Sequence, residues 1–317
     1  MATVRGSNTD NSLHDNMSET NPVLPDAPLD VREQLRQHFS VPYTQHNDRW
    51  HNLWEKGEFL PFDRGQPNPA LIDTLTDRHT LVGKPVISHN GKTRKRALVP
   101  GCGRGYDVLL LAAFGYDAYG LEVSESAVKA CNEFAEKEFA QYTTRGSEYG
   151  CGMVKFVLGD FFKNDWFEEL RLPAGGFDLI YDYTVGRPYE SRAHYMLMLL
   201  QFLCALPPAR RPDWALRTSQ LLNRSSEARL ICVEFPTYKA PSTGGPPFGL
   251  TPDVYVSHLS RPGEHVPYTP EGYPEESSSS KEGIGGNSGL VRMDHWQPER
   301  THAIGKGTDW VSVWTHK

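Results

Sequence analysis

One segment restricts the fold more than any other: Ala97-Leu98-Val99-Pro100, then Gly101-Cys102-Gly103-Arg104-Gly105, then residues 106–114 (YDVLLLAAF). It reads as a short strand with no polar residue, a turn with alternating glycines, and a helix that is apolar around most of its circumference. A strand and a helix without a wet face must be covered on both sides, as in a parallel sheet layered between helices. The alternation then continues. Residues 116–122, 154–160, 177–183 and 230–235 are further strand candidates, and Ser124 or Ser126 caps a helix running through Val128, Cys131, Phe134 and Ala135. The expected fold is α/β, a mostly parallel sheet with helices on both faces, and residues 290–293 and 310–314 add an antiparallel C-terminal edge.

Upstream, Val31, Leu35 and Phe39 are spaced for a helix over 31–41, and Trp50 and Trp54 share one face of a second helix that Gly57 closes. A turn-rich loop leads to Pro69, which opens a helix carrying Ala70, Leu71, Ile72 and Leu75. Residues 1–30 are polar, lack an apolar run, and are expected to be a disordered tail rather than a secretory signal. Residues 31–317 then form a single domain. Two stretches enlarge it: 185–201 (VGRPYESRAHYMLMLLQ), and a segment at about 241–287 so rich in Pro, Gly and Ser that a loop insertion is expected.

Composition narrows the ligand. With 33 Lys plus Arg against 39 Asp plus Glu the net charge is −6, and the basic residues are scattered, so no nucleic-acid surface is expected. The most apolar window, residues 195–206, is interrupted by Gln201 and falls well short of the roughly 20 residues of a membrane span. Five cysteines without a CxxC pair argue against a disulfide framework and against a zinc site, and favour a reducing, cytoplasmic compartment. A small-molecule ligand, no metal and a monomeric chain are expected.

A glycine turn after the first strand of such a sheet lets bare backbone approach a ligand, and ligands collect at the carboxyl ends of these strands. The turn here is GCGRG, not the GxGxxG that serves a pyrophosphate at a helix N-terminus. It suits a nucleoside ligand without phosphate, and S-adenosyl-L-methionine is one. Gly101 and Gly103 form the approach. Glu122, at the end of the second strand, can accept hydrogen bonds from both ribose hydroxyls, and Asp160, after the third, can receive the adenine amino group with Phe161 beside it for stacking. Any one strand-terminal acid also fits a solvated edge; the ordered set is the signal. The Trp50/Trp54 pair alone suits ordinary core packing.

These residues, together with Trp50-xxx-Trp54, Pro61-Phe62-Asp63-Arg64-Gly65-Gln66-Pro67, Gly159-Asp160-Phe161-Phe162 and Phe177-Asp178-Leu179-Ile180-Tyr181-Asp182-Tyr183, resemble the thiopurine S-methyltransferase family, most closely its fungal and plant thiol or halide methyltransferase branch. The resemblance covers about residues 40–317. It implies a class I methyltransferase (Rossmann-like) fold, S-adenosyl-L-methionine as cofactor, and cofactor contacts at Trp50, Trp54, Gly101, Glu122, Asp160, Phe161 and Tyr183. Phe62 stands where the family often carries a third Trp; it keeps an aromatic face but not the indole N–H. A sulfonium is attracted by such faces at about 0.5–2 kcal/mol per well-placed ring.

Methyl transfer to a thiol, sulfide or halide is an in-line displacement, in which alignment and water exclusion matter most. A thiolate needs only deprotonation, for which Asp182 and Tyr183 are the candidate catalytic residues, Asp182 being equally readable as a structural acid. His258, His265, His295 and His302 read as surface or core histidines, and Cys102 as packing. The stretch 185–201 breaks the expected passage from Tyr183-Thr184 into Phe202-Leu203-Cys204-Ala205-Leu206-Pro207-Pro208. It starts with Val, whose codons begin GT, and ends with Gln, for which CAG is a codon, so a short in-frame intron read as protein is the leading explanation, a genuine insertion the other. A second function follows from it: a cofactor-binding but catalytically weak protein whose acceptor pocket is interrupted. A nucleotide-dependent oxidoreductase is disfavoured by the turn spacing.

Overall fold

The computed structural model describes residues 29–57, 60, 63, 65–88, 91–143, 148–173, 175–183, 202–275 and 289–317. The expected tail lies outside the described residues except for its last two, which open helix α1 (Leu29–His38). Phe62, the stretch 185–201 and the end of the 241–287 segment also lie outside them.

Strands β1 (Arg96–Pro100), β2 (Asp117–Glu122), β3 (Val154–Leu158), β4 (Leu179–Asp182), β5 (Arg229–Glu234), β6 (Leu290–Trp296) and β7 (Trp310–His316) form one sheet in the order β3-β2-β1-β4-β5-β7-β6. β1 to β5 pair parallel, and β7 runs antiparallel between β5 and β6. This is the mostly parallel α/β sheet with an antiparallel C-terminal edge that the methyltransferase resemblance implies. Every segment expected to be a strand is one, with its ends moved by a few residues.

The central strands β1, β2, β4 and β5 are buried along almost their whole length because both faces are covered, whereas the outer strands β3 and β6 expose part of theirs. Leu98, Ile180 and Leu230 point into one apolar cluster, while their neighbours Ala97, Val99, Leu179, Tyr181 and Ile231 point into the other, the period of two that a pleated strand imposes. Helices α2 (His46–Lys56), α6 (Glu125–Thr143), α9 (Arg211–Leu221) and α10 (Pro252–Leu259) accompany short α4 (His79–Val82), α7 (Asp165–Glu169) and α8 (Phe202–Ala205) around it. In α5 (Tyr106–Ala113) every residue is buried. The caps follow the residue types: Asn68 accepts the Ala70 N–H at 2.9 Å where Pro69 opens α3 (Pro69–Asp77), and Ser124 rather than Ser126 faces the first turn of α6, 3.4 Å from the Ala127 nitrogen. Inside the Pro-rich 241–287 segment the structure places α10, with Val254, Tyr255 and Leu259 buried and Tyr255 set edge-on to Trp214 of α9. Pro252 sits in its first turn, where proline starts a helix rather than breaking one. Among the described residues no helix is long and apolar enough to cross a membrane.

Strand order reverses at β1, which has β2 on one side and β4 on the other. Such a reversal opens a crevice beyond the carboxyl ends of the strands.

Candidate active site

The turn that follows β1 lies in that crevice. Gly101, Gly103 and Gly105 have φ of 59°, 60° and 82°, a left-handed backbone in which side chains are strained. At Gly105 sterics act too, since a Cβ there would come within 2.5 Å of the Phe156 ring. Above the turn is a cavity of about 820 Å³, its open mouth included. Gly101 and Gly103 form the floor; Leu121, Glu122 and Val123 at the end of β2 form one wall, and Gly159, Asp160, Phe161 and Phe162 beyond β3 form another. The roof comes from α2 and the turn before it, through Tyr43, His46, Asn47, Trp50 and Trp54, and Phe202, Ala205 and Leu206 close the remaining side.

Glu122 is 8% exposed and accepts the Gly103 N–H at 2.7 Å and the Val123 N–H at 3.2 Å. Burial pushes its pKa up to about 7 against the pull of those N–H groups. Asp160 accepts the side-chain amide of Asn47 at 3.0 Å on one oxygen and the Phe162 N–H at 3.0 Å on the other. The loop it heads is pinned from behind by Arg217 of α9, which donates to the carbonyls of Phe161 (3.0 Å) and Lys163 (2.7 Å) and to the Asn164 side chain (2.8 Å). Phe161 packs edge-on against Phe202 at 4.8 Å, and Trp50 rests 4.4 Å from Phe39 of the segment after α1. His46 sits among Phe39 and Tyr43, where burial lowers its pKa.

The structure therefore brings Trp50, Trp54, Gly101, Gly103, Glu122, Asp160 and Phe161 to one cavity. Asp182 and Tyr183 are not among its lining residues. As neighbours at the end of β4 they point to opposite faces of the sheet. Asp182, 2% exposed, accepts the Trp214 indole N–H at 2.7 Å, and burial pushes its pKa up to about 7 against the Trp214 and Leu203 N–H groups. Tyr183 is fully buried, stacked parallel to His302 at 5.9 Å. Sequence reasoning passed over Tyr43, His46, Asn47, Phe162, Phe202 and Leu206. For His46 a signal existed: with Trp50 and Trp54 it recurs every four residues along one helix face. For Phe202 the signal was the expected passage from Tyr183-Thr184 into Phe202, which places it at the exit of β4.

The lining holds two carboxylates and many rings but no Lys or Arg among the described residues. That donor set fits a ligand with hydroxyl and amino donors and a positive centre. A pyrophosphate would meet Glu122 and Asp160 with no cation of the described lining to offset them.

Comparison with known proteins agrees. The family model for thiopurine S-methyltransferase (TPMT) matches residues 45–263, more than half of the chain. "Probable thiol methyltransferase 2" of Arabidopsis thaliana is 32% identical over 253 residues, covering 80% of this chain and 85% of that protein. "Thiocyanate methyltransferase 1" of Brassica oleracea is 30% identical over 220 residues (69% and 74%), and the "Thiopurine S-methyltransferase" of Shewanella sediminis is 24% identical over 214 residues (67% and 80%). A chain with this sheet, this cavity and these relatives belongs to the thiopurine S-methyltransferase family and is an S-adenosylmethionine-dependent methyltransferase.

Proposed function

We propose that the protein methylates a small thiol or sulfide, with halide or thiocyanate-like anions as a second acceptor class, and that the cofactor lies in the cavity above the glycine turn. One observation supports this most: seven residues singled out by the nucleoside reading and the resemblance line one cavity, and among the described residues its lining holds no Lys or Arg. When bound, S-adenosylmethionine supplies an electrophilic methyl on a sulfonium. In this reading Glu122 accepts the ribose hydroxyls, Asp160 the adenine amino group, and Phe161 the adenine face. The rings of Trp50 and Trp54 stabilise positive charge at about 0.5–2 kcal/mol each and keep water out. Asp182 and Tyr183 shape the acceptor side, the first through Trp214 and the start of α8, the second through His302. The protein needs no dedicated strong base, because a thiol with a pKa near 8.5 is already partly thiolate at neutral pH.

The test is the purified chain with S-adenosylmethionine and a panel of alkyl and aryl thiols, bisulfide, thiocyanate and iodide, with products identified by mass spectrometry. A methylated sulfur product formed one-for-one with S-adenosylhomocysteine is the expected result. Tight S-adenosylhomocysteine binding with no turnover on any acceptor would overturn it in favour of a cofactor-binding protein whose acceptor side is interrupted.

A further inference from the structure

We propose that Asp63 is a positioning residue that latches the aromatic roof of the cavity to its glycine floor and thereby sets cofactor affinity; the proposal rests on the cofactor reading above. Asp63 is 7% exposed and lies in the loop that leaves α2. One carboxylate oxygen accepts the Tyr106 hydroxyl at 2.5 Å and the Gly65 N–H at 3.1 Å, and the other accepts the Nε–H of Arg104. Each partner belongs to a different part of the site. Arg104 stands between the two left-handed glycines 103 and 105, and Tyr106 is the first residue of α5. The Arg104 guanidinium also lies 5.8 Å from the centre of the Trp54 ring, so the same cation touches roof, loop and floor.

The backbone links this latch to the ribose acid: Gly103, which precedes Arg104, donates its N–H to Glu122 at 2.7 Å. A turn with three left-handed glycines has many accessible conformations when free, and little in the turn itself selects the one that aims Gly103 at Glu122. A nearly buried carboxylate taking charge-assisted bonds from the residues on both sides of Gly105 supplies that selection. Neither Asp63 nor Arg104 lines the cavity, so each acts through the groups that do.

The experiment uses Asp63→Asn, Arg104→Met and the double variant in the full chain. Calorimetry gives S-adenosylhomocysteine affinity, steady-state kinetics on the best acceptor give KM and kcat, and thermal melts report folding. Each single variant is expected to weaken cofactor affinity about tenfold while kcat at saturating cofactor stays within about threefold, and the double variant is expected to be no worse than the poorer single one. Affinity within twofold of wild type, losses that multiply in the double variant, or a fallen kcat at unchanged KM would overturn the latch. Should Asp63→Asn fail to fold, Tyr106→Phe removes one donor only; weaker binding in a folded Tyr106→Phe protein supports the latch and unchanged binding refutes it. A wild-type chain that binds no S-adenosylhomocysteine would sink the cofactor reading itself, whereas a binding wild type with unaffected variants sinks the latch alone.

Discussion

Four parallel strands end on or just before a carboxylate, and the sheet treats them in two ways. On the β2–β3 side, Glu122 and Asp160 line the cavity and are held by backbone N–H groups and an amide. On the β4–β5 side, Asp182 and Glu234 are 2% and 0% exposed and turn inward, Asp182 to the Trp214 indole at 2.7 Å and Glu234 to the His295 ring at 3.2 Å. A strand-terminal acid becomes part of the site where its partners are the glycine turn or the roof helix, as for Glu122 and Asp160; where its partner is a packed aromatic side chain, as for Asp182 and Glu234, the same kind of acid is a core group.

The largest effect is expected on the open side. Glu122→Ala removes the proposed ribose acceptor and also leaves the Gly103 N–H without its partner. Two hydrogen bonds to a charged group at about 1.5–3 kcal/mol each predict roughly a hundredfold or greater loss of S-adenosylhomocysteine affinity by calorimetry. Retained affinity would remove the distinction between the two sides. Deleting 185–201 comes next. The Leu203 N–H acts on the Asp182 carboxylate, so the chain re-enters beside the point where β4 ends. The shortened protein is expected to fold and to turn over several-fold faster in the thiol assay; unchanged or lower activity, or a spliced transcript that keeps these codons, would show the segment to be genuine.

Asp182 gives a smaller, differently shaped effect. Asp182→Ala leaves the buried Trp214 N–H unpaired, at a cost of about 1–3 kcal/mol in a denaturation experiment. Asp182→Asn keeps an acceptor for that N–H, so its stability and its kcat are expected to stay near wild type. A collapse of kcat in Asp182→Asn with intact cofactor binding would make Asp182 a base and break the comparison from the closed side.

The sheet and the open side were legible in the sequence because both rest on local rules: unbroken apolar strands, alternating glycines that a left-handed turn requires, and acids one strand apart. The closed side was legible only as an open alternative, Asp182 reading equally as a base or as a structural acid. Asp182 is paired with Trp214, 32 positions away on α9, and Glu234 with His295, 61 positions away on β6. Helix α10 hid for a related reason, since its proline reads as a breaker until the chain ahead of it is known to be extended. Asp63 lies in the segment 61–67, yet its partners Arg104 and Tyr106 meet it only once the loop after α2 folds over the turn.

The finest test separates acids that titrate alike. Burial raises Glu122, Asp182 and Asp107 to about 7, and Asp107, at the start of α5, accepts the Asn68 N–H at 2.9 Å. Between their unfolded values near 4 and about 7 the folded chain holds protons that the unfolded chain has lost, so these groups make stability fall as pH rises through that window. Ligand binding distinguishes them. In the proposed pose the ribose hydroxyls donate to the Glu122 carboxylate and the sulfonium favours its charged form, so cofactor binding is expected to lower the Glu122 pKa and release a proton; Asp107 and Asp182, outside the cavity lining, are expected to gain no new partner. Near neutral pH, calorimetry in buffers of different ionisation enthalpy is expected to show proton release on cofactor binding. That release is expected to vanish in Glu122→Gln and to persist in Asp107→Asn and Asp182→Asn. A release lost in Asp182→Asn would mean that the cofactor reaches the β4 side, and the division between open and closed strand ends would fail.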